Sequence, residues 1–401
     1  MAFKKSRRGA PKAPFTSPYP SLMLSVGEKK QLQQLAKDLV TIKVDEYEEF
    51  LYDNHGKLPP SKWKFFRRDQ QVETYLRRGE NCSSRGFGAT RTFRSGSDVT
   101  ATARSTSTTY REELGSLDVA DIRSIGSRDG TVEDAIYGVM GPTTETMRYK
   151  SAYIRDGVED CSVLAVIDNV TEAKPFTSLT IRWKAMENPP LLRKVLKSYD
   201  HVYLDATGFT RLSSGERVAF HLVHSVDFQS AARPLPNFTR SQVASIEFWR
   251  QTGPKTVEFH GHCLFSLPFE RTRSFLVPVI STALAKSLMH SLYASQMKKL
   301  RWAVRERKME MLFRPDWSAN RACTVCTKKR LLHKGVSCDL CGEPVCKPCR
   351  VSHKVASVEL DNSLHWMKVH VCPFCMLKVT NSNPAETVRS EIMTGEYGPV
   401  L

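Results

Sequence analysis

The chain has 401 residues, with 41% hydrophobic and 25% charged side chains and a formal net charge of +17, proportions of a globular protein of two or three domains rather than of a disordered or fibrous one. No run of about eighteen apolar residues occurs, and MAFKKSRRGAPKAP lacks the apolar core of a secretory leader, so neither a transmembrane helix nor secretion is expected. The setting expected is cytosolic or nuclear, where cysteines stay reduced.

The positive charge is concentrated. Residues 1–20 hold five basic groups and no acid, 77–111 hold seven basic against two acidic, and 286–308 hold seven against one. Such patches suit an anionic partner, either phospholipid headgroups or nucleic acid.

In chain order, residues 1–20 read as a basic, Pro-rich disordered N-terminus. Ser25 to Glu28 reads as a capping box opening a helix to about Leu51, with Leu32, Leu35, Leu39 and Ile42 at helical steps. Pro59-Pro60 ends it, and WKFFRR (63–68) and QVETYLR (71–77) predict a strand hairpin. Residues 79–119, rich in Ser, Thr, Gly and Arg, predict a long surface insertion.

TVEDAIYGVMG (131–141) predicts a short helix, and strands are expected at 158–168, 176–185, 201–207, 216–226, 244–251 and 255–265. Leu179, Ile181 and Trp183 alternate with Thr180, Arg182 and Lys184, as a strand with two different faces requires. A long helix from Pro278 to Arg307 carries a stripe of Leu284, Leu288, Leu292, Met297 and Leu300. The fold class expected is α+β: one curved antiparallel sheet whose single apolar face the final helix covers, enclosing an apolar tunnel.

Eight of the eleven cysteines then fall between Cys323 and Cys375 as four CxxC pairs, namely Cys323/Cys326, Cys338/Cys341, Cys346/Cys349 and Cys372/Cys375. A CxxC turn sets two thiolates along one edge of a zinc tetrahedron, so eight thiolates predict two closed, structural Zn²⁺ sites with no position open for catalysis. Disulfides are the competing reading, disfavoured by the compartment. His333, His353, His365 and His370 are read as surface residues, and Cys82, Cys161 and Cys263 as inert thiols. His221, His224, His260 and His262, on predicted strands, are read as structural.

The phrases KLPPSKWKFFRRDQQVETYLRR, YGVMGPTTETMRYKSAYI, FTSLTIRWKAMENPPLL, DHVYLDATGFTRLSSGERVAFHLVHSVD and AKSLMHSLYASQMKKLRW resemble the START-like region of START–FYVE proteins. The finger, with Cys341-Gly342 leading through to Cys346-Lys347-Pro348-Cys349, resembles a FYVE-type domain. The resemblance implies a helix-grip fold over 21–308 and a cross-braced finger over 309–378; residues 379–401 are read as a flexible tail. It also implies that Cys323, Cys326, Cys346 and Cys349 hold one zinc and that Cys338, Cys341, Cys372 and Cys375 hold the other. A hydrophobic ligand in the START-like domain is a further implication.

FYVE domains read phosphatidylinositol 3-phosphate through a basic strand ending at the third cysteine. Here that strand is Lys334, Gly335, Val336, Ser337, Cys338 and Asp339, the upstream tryptophan element is at best Trp317 to Asn320, and His370 stands where an arginine is usual. Asp339 opposes a phosphate, so recognition of that headgroup is not expected. Lys328, Lys329 and Arg330 before Leu331-Leu332, with Lys334, remain as membrane-contact candidates. The function expected is a non-enzymatic, lipid- or membrane-associated adaptor, cytoplasmic and peripheral on endosomal membranes. The alternatives are a protein-interaction finger, a ubiquitin ligase, or nucleic-acid binding through the basic segments; without a basic recognition helix, nucleic acid is not the partner expected.

Overall fold

The computed structural model describes residues 17–78, 92–93, 118–186, 197–267, 273–313, 322–328, 336–359, 361 and 363–398. Helix α1 (Val26–Glu48) begins at the capping box: the Ser25 hydroxyl accepts from the Glu28 amide and the Glu28 carboxylate accepts from the Ser25 amide. One π-helical turn, Glu49–Asp53, ends it. Strands β1 (Trp63–Asp69) and β2 (Val72–Arg77) form the hairpin, β3 (Thr92–Phe93) is brief, and β4 (Asp118–Asp129) follows. Helices α2 (Val132–Val139) and α3 (Thr144–Ile154) are capped by the hydroxyls of Thr131 and Thr143.

Next come β5 (Val158–Asp168), β6 (Ser178–Met186), β7 (Ser198–Arg211), β8 (Arg217–Ser225), β9 (Asp227–Phe228), β10 (Phe238–Arg240), β11 (Val243–Gly253) and β12 (Thr256–Leu267). Helix α4 (Arg273–Phe313) starts five residues before Pro278, so that proline lies inside the helix rather than at its start. The C-terminal region holds β13 (Val336–Ser337), β14 (Pro344–Val345), the hairpin β15 (Val351–Val358) and β16 (Leu364–Val371), α5 (Pro373–Asn381) and α6 (Pro384–Met393).

The large sheet runs β1-β2-β4-β12-β11-β8-β7-β6-β5, and β10 adds to β7 in parallel. Every neighbour along that path is antiparallel. Both faces are covered, which departs from the single covered face expected. Leu179, Ile181 and Trp183 pack with Leu32, Leu39 and Tyr47 of α1. The opposite face, where Thr180 and Arg182 are fully buried, lies under the layer of α2, α3 and α4. Period-two alternation separates two faces but does not say which is wet, and here neither is.

By length and composition alone, α4 could cross a membrane, against the sequence expectation. Its Leu284, Leu288, Met297 and Leu300 are instead buried against the sheet and α2. The approach to α2 is close: a Cβ on Gly138 would lie 1.8 Å from the Ser291 carbonyl oxygen, so only glycine fits.

Two boundary expectations are corrected. Tyr19, assigned to the disordered N-terminus, is 7% exposed, and its hydroxyl donates to the Arg233 carbonyl over 2.8 Å. The segment after 378, read as a flexible tail, includes the helix α6, whose Val388 and Ile392 are buried together with Tyr397. Apolar periodicity in PAETVRSEIM is weak because so few of its side chains carry the contact. The insertion expected at 79–119 lies outside the described residues except for β3 and the start of β4.

Candidate metal centre and internal cavity

The finger brings its cysteines together in two interleaved groups. Cys323, Cys326, Cys346 and Cys349 form one, Cys338, Cys341, Cys372 and Cys375 the other, and within each group all sulfurs lie within 4.8 Å of one another. The Sγ atoms of Cys326 and Cys346 are 3.7 Å apart. Four sulfurs at the zinc–thiolate bond length of about 2.3 Å stand roughly 3.8 Å apart along a tetrahedral edge. The donor set and its spacing therefore fit a four-thiolate metal in each group.

Local backbone geometry presents these sulfurs. The Thr327 amide bonds the Cys323 carbonyl over 2.8 Å, and the Gly342 amide bonds the Cys338 carbonyl over the same distance. Thr327 and Gly342, each one residue past its CxxC pair, both take positive φ (58° and 78°). The Cys346 amide points at Cys323 Sγ over 3.4 Å and the Cys372 amide at Cys338 Sγ over 3.3 Å. Burial pushes the Cys323 thiol up, but amide donors from Cys326, Cys346 and Val325 outweigh it and take it down to about 6. Thiolate is the form a metal binds. His353, His365 and His370 join neither group. His333 lies outside the described residues, as does Cys82. Burial raises Cys161 to about 11 and Cys263 to about 12, so both are protonated thiols at neutral pH.

Of the membrane-contact candidates, Lys328 is exposed and the rest (Lys329, Arg330, Leu331, Leu332 and Lys334) lie outside the described residues. Asp339 has a structural occupation: its carboxylate accepts the His370 amide over 2.6 Å, and its own amide donates to the His370 carbonyl over 2.8 Å. The His370 ring meets the Ser352 hydroxyl at 2.7 Å. Two apolar residues that the sequence reading passed over stand out on the finger. Phe374 and Leu377 are 63% and 60% exposed on α5, one turn apart and on the same face as exposed Lys378. The signal was present, since Cys372 and Cys375 fix the phase of that helix.

The finger is locked to the helix-grip domain. The Ala356 amide donates to the Tyr153 hydroxyl over 2.7 Å, and Lys299 donates to the Thr380 and Ser382 carbonyls. Arg301 bonds the Ala356 carbonyl and the carboxylates of Glu145 and Glu396. One continuous buried cluster holds Ile136, Leu300, Cys338 and Val388.

Between the sheet and α4 lies a cavity of about 130 Å³. It departs from the apolar tunnel expected: α4 contributes an apolar wall of Leu276, Ile280 and Leu284, while the sheet contributes Lys184, His201, Asp205, His221 and Glu247. An apolar cavity of about 150 Å³ accommodates benzene, so a lipid would need α4 and the sheet to move apart. The strand histidines do not converge, and two of them are held by carboxylates. His221 bridges Asp205 and Glu247, and His262 bridges Glu46 and Asp121. The His260 ring lies tilted against those of Tyr47 and Phe50, and His224 is buried.

No family model and no curated protein matches the chain. Solved structures similar to it include human StAR-related lipid transfer protein 5, at 14% identity and a TM-score of 0.42 over 66% of this chain and 97% of that one. Human STARD10 is similar at 12% identity and 0.37, over 67% and 86%. A STAR-related lipid transfer protein fragment from Xanthomonas axonopodis is similar at 11% and 0.36, over 57% and 98%. At these values the likenesses add nothing to what strand order already establishes. By its antiparallel sheet, its long closing helix and its paired cysteines, the chain is an α+β helix-grip protein carrying a two-site cysteine finger.

Proposed function

We propose that the protein is a non-enzymatic adaptor, stabilised by two structural Zn²⁺ ions, that works in the cytoplasm as a peripheral protein of anionic membranes such as those of endosomes. Each zinc would be held by one cysteine tetrad and would supply a crosslink, with all four positions filled by protein. The chain's own residues do the rest: the amides aimed at Cys323 and Cys338 favour thiolate, and Arg301 and Tyr153 hold the finger in a fixed pose.

The observation that carries the membrane reading is the solvent-facing side of α5, where Phe374, Leu377 and Lys378 lie together. Burying two such apolar side chains contributes roughly 1.5–3 kcal/mol each, and a lysine beside an anionic leaflet about 1 kcal/mol. That supports weak binding governed by surface charge. With Asp339 engaged by His370, it also supports binding that does not single out phosphatidylinositol 3-phosphate.

The test is co-sedimentation of the full chain with vesicles of neutral phosphatidylcholine, with and without anionic phosphatidylserine, alongside native mass spectrometry for zinc. Two zincs per chain and binding that requires the anionic lipid and falls in a Phe374→Ser/Leu377→Ser variant are expected. Equal binding to both vesicle types, or none, would remove the membrane role.

A further inference from the structure

The polar wall of the internal cavity has an uneven charge. Arg182 Nη2 lies 3.0 Å from one oxygen of Asp205, and His221 Nε2 lies 3.0 Å from the other. His221 Nδ1 lies 3.2 Å from Glu247, whose same oxygen accepts the Ser287 hydroxyl over 2.9 Å. An imidazole with a carboxylate at each nitrogen donates from both, which makes it a cation. Burial works against that charge, but Asp205 and Glu247 outweigh it and raise the His221 pKa. Two cations and two anions therefore cancel. Lys150, 3.4 Å from Asp156, forms a further matched pair at the cavity's edge.

Lys184 is left over. Its ammonium sits 5.0 Å from the centre of the Tyr203 ring, and among the described residues it has no hydrogen bond or ion pair. Both side chains line the cavity. A lysine in such a place is held against its own desolvation, and burial lowers its pKa accordingly. What the cavity lacks is one negative charge, and opposite Lys184 it offers the apolar wall of α4.

We propose that this cavity is a binding site for a small organic monoanion, a carboxylate with a short apolar part. The carboxylate pairs with Lys184, and the apolar part rests on Ile280 and Leu284. The volume of about 130 Å³ sets the size limit near that of benzene. A neutral ligand leaves Lys184 unpaired, and a dianion overshoots the balance by one charge. The inference stands apart from the membrane role: it concerns a different face of the molecule and needs neither vesicle nor α5.

The experiment is isothermal titration of the full, zinc-loaded chain with sodium butyrate, and with butyramide as the uncharged counterpart of the same shape. Butyrate is expected to bind at least tenfold more tightly than butyramide. Lys184→Met should weaken it at least tenfold while the far-ultraviolet spectrum and zinc content stay unchanged. Ile280→Phe, which fills the apolar half and leaves Lys184 in place, gives an independent reading and should also abolish binding. Equal affinity for butyrate and butyramide overturns the proposal, as does butyrate binding unaffected by Lys184→Met. Tighter binding of an eighteen-carbon fatty acid than of butyrate overturns it too, because the size limit then fails. Failure of vesicle binding leaves these outcomes untouched.

Discussion

The Tyr137 hydroxyl donates to Glu391 Oε1 over 2.7 Å, across 254 residues of sequence and in a fully buried setting. The other Glu391 oxygen accepts the Tyr397 hydroxyl, and burial raises the carboxyl's pKa although Lys298 and the two tyrosine hydroxyls pull it down. Nearby, Lys298 donates to the carbonyls of Tyr137 and Met140, and burial takes its pKa down to about 7 although Glu391 pulls the other way. Through this cluster α6 closes over α2 and α4.

Glu391→Ala removes the acceptor of two buried hydroxyls, and an orphaned buried polar group costs about 1–3 kcal/mol. Urea unfolding should show a loss of about 2–5 kcal/mol, allowing for partial rescue by water. A chain cut after residue 378 should aggregate or melt at lower temperature. Unchanged stability of that truncated chain would mean that α6 contributes nothing.

The two histidines His201 and His260 predict the acid limb of stability. Burial lowers His201 to about 3, and burial with the field of Arg123 lowers His260 well below its ordinary 6.5. Both are neutral when folded and take up a proton when unfolded below pH 6.5. Stability is therefore lost as pH falls below 6.5, by about 1.4 kcal/mol per pH unit for each group. His221 has the opposite sign: its raised pKa adds stability below 6.5 that fades as pH rises through the folded value. Neither ring nitrogen of His260 has a partner among the described residues, and the ring packs at a tilt against Tyr47 and Phe50. His260→Phe should raise stability at pH 7 and remove one group's share of the slope between pH 6.5 and 5. Denaturant melts at four pH values check both.

Gly138→Ala places a methyl where the Ser291 carbonyl stands. Overpacking of this kind costs about 1–3 kcal/mol or more, because both helices are pinned on their far sides. Thermal melting should show a clear drop, while the same substitution at the exposed turn glycine Gly215, which has open space but φ +83°, should cost less.

Chelation provides the fourth prediction. Cys372→Ser should reduce zinc from two per chain to one or fewer, since the groups interleave along the sequence. Asp339→Arg, which puts a positive charge on this strand, should destabilise the finger by about 1–3 kcal/mol by freeing the His370 amide. Zinc release measured with a chromogenic chelator should speed up, with no gain in phosphatidylinositol 3-phosphate binding.

Much of this was legible from residues. The Ser25–Glu28 box, the β1–β2 hairpin and the apolar stripe of α4 were readable because each depends on neighbours within a few positions. The cysteine groups were legible for the same reason, since CxxC sets its own turn. The strand β4 was hidden because DVADIRSIGSRD alternates polar and apolar residues only weakly and follows a long polar segment. Helix α3 was hidden by two threonine caps in succession, Thr131 and Thr143, around a short break. The charged cavity wall was the largest omission. Thr180, Arg182 and Lys184 look like a solvent face, and only the tertiary placement of α4 puts them inside.

The long reach between Tyr137 and Glu391 also bears on synthesis. The helices α2 and α3 leave the ribosome well before the finger and α6 that cover them. Until the last cysteine pair is made and its metal acquired, Tyr137, Tyr149 and Lys298 have no lid. On the two-zinc reading proposed above, maturation of the helix-grip half would wait on metal supply at the other end of the chain. In zinc-starved cells the protein should stay protease-sensitive and chaperone-bound, an abundance control written into its architecture.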